Sequence, residues 1–333
     1  MLKNQSRLNG LKMLSNKPRQ IGTRVEKPLI MIVGPTAVGK TDFSMSLAET
    51  IWGEVISADS RQFYRGMDIG TAKPDAKEMA RIPHHLINIA LPDEIIDLTR
   101  FHKLLEEATR AIYAQGHLPI TVGGTGQYAR SILQGWNIPS QPPDPRMRAI
   151  LLSWAEELGP FEMHNKLQKV DPEAAAFIQP QNVRRVVRAL EVIFSTGRKF
   201  SDLRQRHTPV YQVLMIGLLR NRKELYARID ERIGKMIEQG LLEEVKNLLQ
   251  QGYPSTLPAF SAIGYKEMVD VLQNQISLNE SVVLMKRRTR EYVRRQANWF
   301  KPSDPQIHWF NADEIILPDA VKLIEKFLAG ELQ

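Results

Sequence analysis

Residues 34–41 read Gly34-Pro35-Thr36-Ala37-Val38-Gly39-Lys40-Thr41, and this stretch decides the fold. It follows the apolar run Leu29–Val33, which reads as a buried strand, and it precedes Asp42–Thr50, which reads as the start of a helix. Strand, glycine-rich turn and helix in that order make a phosphate loop of the pattern Gly-x4-Gly-Lys-Thr. The main-chain N–H groups of such a loop, with the helix N-terminus behind them, form a nest for a di- or triphosphate. Lys40 is expected to reach the outer phosphates, and the Thr41 hydroxyl to hold Mg2+. The match narrows the ligand to a polyphosphate and leaves open what is transferred.

Working outward, strands and helices alternate. Glu54–Ala58 reads as a second strand with Asp59 at its C-terminal end. Leu98–Gln115 has helical spacing and stops at Gly116, and Leu118–Val122 is another strand, followed by Gly123-Gly124-Thr125-Gly126. Val210–Leu219 is a longer strand. Short strands alternating with helices predict an α/β fold, a parallel sheet covered on both faces, with the site at the C-terminal strand ends. The rhythm breaks where four prolines (Pro139, Pro142, Pro143 and Pro145) crowd into residues 138–145. From Asp144 to about Arg206 the pattern is helical. The C-terminal third reads as helices over Arg222–Gln239, Leu241–Gln250, Tyr265–Leu272 and Asn279–Phe300, with a last strand at Ile307–Phe310. The expected organisation is a basic, disordered tail over 1–27, a phosphate-loop core built from 28–137 and 208–333 with its C-terminal helices, and a small all-helical insertion domain over 138–207.

Composition narrows the chemistry. The 333 residues contain no cysteine, which excludes disulfides, zinc-thiolate fingers, iron–sulfur clusters and a thiol nucleophile. No apolar run approaches the roughly 18 residues of a membrane span, so no membrane partner is expected. The net charge of +8 suits a polyanionic partner. Part of it lies in the tail, where Lys3, Arg7, Lys12, Lys17, Arg19 and Arg24 occur without an acidic residue. That reads as a solvated tail, and organelle transit peptides share the composition.

Several constellations carry chemistry. Asp59, within Ser57-Ala58-Asp59-Ser60-Arg61-Gln62, faces the phosphate site from a neighbouring strand. Such an aspartate can hold Mg2+ through water, take a proton from an acceptor, or simply cap the next segment. Lys73, in the loop Asp68–Pro74, is a candidate for phosphate contact. His84 and His85 are adjacent, so on a strand they point to opposite faces, and a structural or substrate-lining role fits better than zinc. Gly123-Gly124-Thr125 allows close backbone approach to a ligand or is an ordinary strand-to-helix turn. Arg184, Arg185 and Arg188 fall within about one helical turn. A second basic run carries Arg287, Arg288, Arg290, Arg294 and Arg295, interleaved with Tyr292, Trp299 and Phe300. Basic helices with aromatics suit a nucleic-acid backbone and unstacked bases, against the alternative of a solvated basic face. No apolar run ends in Asp-Glu as in a nucleotide hydrolase, while a small-molecule kinase with a helical lid would share the phosphate loop.

Taken in order, these motifs resemble the tRNA dimethylallyltransferase (tRNA isopentenyltransferase) family. The resemblance runs through Gly34–Thr41, Ile56–Gln62, Met67–Pro74, His84–Leu86, Val122–Tyr128, Asp171-Pro172, Arg184–Val192, Arg228–Arg232, Ile263–Glu267 and Thr289–Phe300. It implies a phosphate-loop NTPase-like core with an insertion that grips the anticodon stem-loop of tRNA. The implied reaction moves a dimethylallyl group from dimethylallyl diphosphate to N6 of the adenosine just 3′ of the anticodon. Read this way, Gly34, Pro35, Thr36, Ala37, Val38, Gly39, Lys40 and Thr41 hold a diphosphate leaving group, Arg228 reaches it, Thr41 holds Mg2+, and Asp59 accepts the N6 proton. Ser60, Arg61, Gln62 and Thr125 are implied to line the base and reaction channel. Arg148, Arg184, Arg185, Arg188 and the stretch Ser261, Ala262, Ile263, Gly264, Tyr265 and Lys266 are implied to meet tRNA. The chain departs from the family pattern at Gln179, Gln181, Val293, Arg294 and Asn298. No zinc finger follows the core, which implies a bacterial-type, cytoplasmic enzyme, expected to be a monomer. A prenyltransferase acting on free adenine nucleotides would share the core without the gripping insertion.

Overall fold

The computed structural model describes residues 24–136, 144–203 and 208–332. The expected tail lies almost wholly outside these residues, as do Pro139, Pro142 and Pro143 of the proline cluster.

The first half of the core runs β1 (Pro28–Val33), α1 (Lys40–Ile51), β2 (Gly53–Ser57), α2 (Ala76–Arg81), β3 (His84–His85), α3 (Leu98–Ala114), β4 (Leu118–Val122) and α4 (Gly126–Leu133). Next come α5 (Pro145–Val170), α6 (Pro172–Phe177), α7 (Val183–Thr196) and α8 (Phe200–Leu203). The chain then returns through β5 (Gln212–Leu219), α9 (Arg222–Glu238), α10 (Leu241–Gln250), a 3-10 turn at Pro258–Ser261, α11 (Tyr265–Leu272), α12 (Leu278–Ala297), β6 (Ile307–Asn311) and α13 (Leu317–Leu328). Among the described residues the strands form one sheet in the order β3-β2-β4-β1-β5-β6, and every pairing is parallel.

Every residue of β1 and β2 is buried, as a sheet covered on both faces requires. Phe101, Leu105 and Ile112 of α3 pack on one face at helical spacing, and Ala320, Ile324 and Phe327 of α13 belong to the same core. Each fully buried Leu, Ile or Phe contributes about 2 kcal/mol through area removed from water. Four elements, α2, β3, α4 and α13, have no counterpart in the reading of the sequence. β3 has only two residues, too few for a period. α13 has the spacing of an amphipathic helix, with Pro318 in its first turn and Gly330 just past its end, but no chemical motif draws attention to it.

Residues 144–203 carry an apolar cluster of their own. Leu151, Met163 and Leu167 of α5 pack against Ala174 of α6 and Val186 and Leu190 of α7. Gly159, at φ 79°, breaks α5 into two helices ahead of Pro160. Fully buried Asp171 accepts from the N–H of Ala174 (3.0 Å), the N–H of Ser201 (2.8 Å) and the Ser201 hydroxyl (2.7 Å). One carboxylate thereby caps α6 and ties α8 to it.

Candidate active site

The site is built at the C-terminal ends of β1, β2 and β4. At the end of β1 the chain turns at Gly34, with φ +146°, where an added Cβ would lie 2.7 Å from the Leu218 carbonyl oxygen of β5. No larger residue fits that exit. Gly39, at φ +110°, opens α1. Between them the loop's carbonyls are occupied by cations. Lys40 Nζ donates to the oxygens of Gly34 (3.0 Å) and Pro35 (2.8 Å), Arg228 Nε to Ala37 (2.9 Å) and Arg220 Nε to Val38 (3.4 Å). Holding carbonyls from outside favours a loop whose N–H groups face inward, as an anion nest requires.

Two cavities open here. The first, about 980 Å³, is lined by Thr36, Ala37, Gly39, Lys40, Thr41, Arg228 and Lys235, with the Asp68–Pro74 loop opposite. The second, about 400 Å³, is lined by Ser60, Arg61, Thr125, Ser261, Ile263, Thr289, Tyr292 and Arg295. Both include Thr36, Ala37, Asp59, Thr71, Arg232 and Met236. Asp59 and Arg232 therefore stand where the cavity lined by the phosphate loop meets a second chamber.

The electrostatics follow from burial. Loss of water pulls the Lys40 ammonium down to about 8, against the attraction of Asp59 and with the repulsion of Arg232. Burial likewise lowers Arg232, with Asp59 opposing. Burial and then the Asp59 carboxylate push the Tyr292 phenol up to about 12, so it remains a hydrogen-bond donor at neutral pH. Asp59 Oδ1 accepts the Arg61 N–H at 2.9 Å, which closes a local turn; the next helix starts only at Ala76, so Asp59 is not a helix cap, and its turn bond coexists with the place at the junction.

Several sequence-predicted residues fall elsewhere. Gln62 lines the first cavity, not the second, and its amide is committed: the Ser57 hydroxyl donates to its oxygen at 2.8 Å, and its nitrogen donates to the Ala72 carbonyl at 3.4 Å. Lys73 donates to the Tyr64 carbonyl (2.7 Å), Asn88 Oδ1 (2.6 Å) and Asp68, so its three protons pin the loop and leave none for phosphate. Tyr265 is fully buried, and its hydroxyl donates to Glu244 at 2.6 Å, so its side chain is a core contact and not an RNA contact. Ala262 and Gly264 are also buried, whereas Ser261 and Lys266 are exposed. In the insertion, Arg148 (2.7 Å) and Arg188 (3.2 Å) both pair with Glu191, itself 1 % exposed. Arg184 and Arg185 are exposed on the first turn of α7. Arg61 is held at the rim by the Pro258 carbonyl and the Ser261 hydroxyl, both at 2.9 Å.

The glycine run after β4 serves packing. A Cβ at Gly123 would lie 2.5 Å from the Ala58 oxygen, one at Gly124 2.1 Å from the Gln296 amide nitrogen, and one at Gly126 2.1 Å from the Trp299 ring. The close approach is thus to neighbouring protein. The histidines also have structural partners. Glu54 accepts from His85 at 2.6 Å and His117 at 2.5 Å, and His84 Nδ1 donates to the Ile82 carbonyl at 2.7 Å. Among the described residues no group of three His, Cys, Asp or Glu is placed to hold a metal ion.

Three residues in or beside this junction fall inside stretches of the family resemblance but had no role assigned from the sequence: Arg232, Tyr292 and Gln296. Arg232 lies four residues beyond Arg228 on the same face of α9, so helical spacing points to it. The other two are brought in by α12 from the far end of the sequence.

Comparison with known proteins bears on what the junction is for. The IPP transferase family profile matches residues 62–303. The tRNA dimethylallyltransferase of Thermomicrobium roseum is 47% identical over 288 residues, covering 86% of this chain and 87% of the relative. The chain belongs to the tRNA dimethylallyltransferase family. Among solved structures, the tRNA isopentenylpyrophosphate transferase of Bacillus halodurans superposes with a TM-score of 0.67 at 41% identity, covering 92% of this chain and 97% of that one. A eukaryotic dimethylallyltransferase acting on tRNA gives a TM-score of 0.79 at 31% identity, over 92% and 81% of the two chains. For a tRNA dimethylallyltransferase fold, a phosphate loop and a second chamber meeting at one carboxylate is a two-substrate arrangement.

Proposed function

We propose that this protein transfers a dimethylallyl group from dimethylallyl diphosphate to N6 of the adenosine 3′-adjacent to the anticodon, in tRNAs reading codons that begin with U. The observation that carries the reading is the meeting of the two cavities at Asp59 and Arg232. The donor enters the phosphate-loop cavity with its diphosphate against Lys40, Thr41 and the loop N–H groups. The adenine enters the other chamber, taken out of the anticodon-loop stack so that N6 can be reached.

In the transfer, the N6 lone pair forms a bond to the first carbon of the dimethylallyl group while that carbon's bond to the diphosphate oxygen breaks. The diphosphate leaves with the electron pair, and the N6 proton passes to Asp59. Charge grows on the leaving oxygens, and Lys40, Arg228 and Arg232 stand around that cavity to neutralise it. Mg2+ fits the donor set. The Thr41 hydroxyl lines the cavity, and a hard cation takes hydroxyl and diphosphate oxygens without a protein cluster of its own. Thr41 would hold it beside the diphosphate, where the ion adds further neutralisation of the leaving charge.

On the RNA side, Arg61, Ser261 and Lys266 at the rim and Arg184 and Arg185 on the insertion are the cations and donors proposed for the anticodon stem-loop. We assign the enzyme to the cytoplasm as a monomer; among the described residues no helix is long and apolar enough to cross a membrane. The deciding experiment incubates the protein with dimethylallyl diphosphate, Mg2+ and either unmodified tRNA or AMP, and analyses nucleosides by mass. N6-dimethylallyladenosine from tRNA only is the expected result. Product from AMP alone would reassign the acceptor, and phosphorylated product from ATP would reassign the reaction.

A further inference from the structure

Gln296 occupies the last turn of α12 yet is 4 % exposed, because its side chain turns inward to the sheet. Its Oε1 accepts the Thr36 N–H at 2.9 Å, and its Nε2 donates to the Gly124 carbonyl at 3.1 Å. The partners fix the amide's orientation, since an N–H needs the oxygen and a carbonyl needs the nitrogen. The two loops it joins leave neighbouring strands. β1 and β4 are paired up to Ile32 and Val122, and the Gly123 N–H still reaches the Ile32 oxygen at 3.2 Å. Beyond that point the strands diverge into the phosphate loop and the Thr125 loop. There the Gln296 amide takes one N–H and one C=O as the next peptide of a sheet ladder would. The fit is tight, because a Cβ at Gly124 would meet the amide nitrogen at 2.1 Å.

What the amide joins matters for the reaction. Thr36 lies on the wall shared by both cavities, and its hydroxyl takes a long contact of 3.4 Å from Arg232. Thr125, next to Gly124, lines the acceptor chamber together with Tyr292. One buried amide thus spans a donor-side loop and an acceptor-side loop. It also commits the Thr36 N–H, so that group does not contribute to the phosphate nest. We infer that Gln296 is a positioning residue: it sets the spacing between the diphosphate cradle and the acceptor chamber, and so the alignment of N6 with the carbon it attacks. The inference rests on the proposed transfer reaction. Bond-forming displacement is sensitive to placement, and an error near 1 Å costs about 100-fold in rate.

The test compares wild type with Gln296→Met, which fills similar space without the two hydrogen bonds, and with Gln296→Glu, which keeps the acceptor for Thr36 but sets a carboxylate against the Gly124 carbonyl. Expected for both is a fall in kcat of about 100-fold at saturating donor and tRNA. The Kd values for pyrophosphate alone and for tRNA alone should stay within about threefold, since each half-site survives. Hydrogen exchange adds a readout in the wild-type protein. The Thr36 amide should be protected, and Gln296→Met should deprotect it while the β1–β4 ladder stays protected. Wild-type kcat in Gln296→Met, an unprotected Thr36 amide in the wild type, or weakened binding of both ligands with kcat unchanged would each overturn the role. A wild-type protein that transfers nothing would instead overturn the proposed reaction, and this role with it.

Discussion

In the α/β core, Lys40, Asp59, Arg228 and Arg232 line cavities, and the phosphate loop's carbonyls absorb only part of the positive charge. In the insertion, Arg148 and Arg188 converge on one buried carboxylate, Glu191, which also accepts the Asp144 N–H at 2.8 Å. Both regions set arginines in clusters and put that charge to opposite uses. The core keeps Lys40 and Arg232 lowered by burial and facing space, ready for an anion. The insertion pairs Arg148 and Arg188 with a carboxylate to hold α5 against α7 where the domain begins. A basic run therefore identifies a nucleic-acid face only after its internal carboxylates have been accounted for.

The largest test of the comparison is Asp59→Ala. If the core's free charges are catalytic, transfer should fall by about 1,000-fold or more, the range of a lost general base, while tRNA and pyrophosphate binding change little. Single-turnover assays with bound tRNA measure this. Turnover within about tenfold of wild type would move proton acceptance to another group. Loss of the turn hydrogen bond to the Arg61 N–H costs about 1 kcal/mol, too little to unfold the core, so a melting curve separates the two roles.

Next is Glu191→Ala, the matching change in the insertion. It leaves two arginines and a backbone donor facing a vacated, buried position. The expected cost is on the order of 3 kcal/mol, reduced from the fully buried case because both arginines are part exposed. Hydrogen exchange should show lost protection across 144–203 with the sheet unchanged, tRNA binding weakened and pyrophosphate binding retained. Uniform loss of protection over both regions would show that the insertion does not carry its own stability.

The third test is pH dependence of the donor side. Lys40 sits near 8 in the free protein because burial removes its water. A diphosphate selects the charged form. Affinity should be constant below about pH 8 and weaken up to tenfold per unit above it, with proton uptake on binding. Calorimetry with pyrophosphate in two buffers of different ionisation heat measures both. Lys40→Arg keeps a permanent charge and should remove the pH dependence, while the ligand's own ionisation appears in both proteins and cancels.

Legibility in the sequence follows the distance between partners. The phosphate loop was readable because all its parts lie within Gly34–Thr41, and β1, β2 and β4 were readable because buried parallel strands are continuous apolar runs. Arg232 was readable in principle from its spacing to Arg228. Gln296 fell inside the family stretch Thr289–Phe300, but its role was not readable: its partner Thr36 is 260 residues away, and a glutamine on a polar helix gives no local sign of burial. The same distance hides other partnerships. Arg148 looks unpaired until Glu191, 43 residues on, is seen to hold it. Tyr265 looks like part of an exposed motif until Glu244 accepts its hydroxyl. Lys73 looks free until three acceptors surround it.

The smallest effect is also the one that separates the two kinds of arginine. Arg184 and Arg185 are exposed at the start of α7, and a phosphate contact from either releases about one counterion on binding. Arg184→Ala or Arg185→Ala should each weaken tRNA binding a few-fold, lower the salt dependence of log Kd by about one, and leave stability unchanged. Arg148→Ala should do the reverse: it removes a partner from Glu191, so the insertion loses stability while the salt slope holds. Filter binding across a salt series, paired with thermal melts, reads both quantities on the same variants. If Arg148→Ala alone lowered the slope, Glu191 would be a partner that yields to RNA, and the insertion's charge would be as available as that of the core.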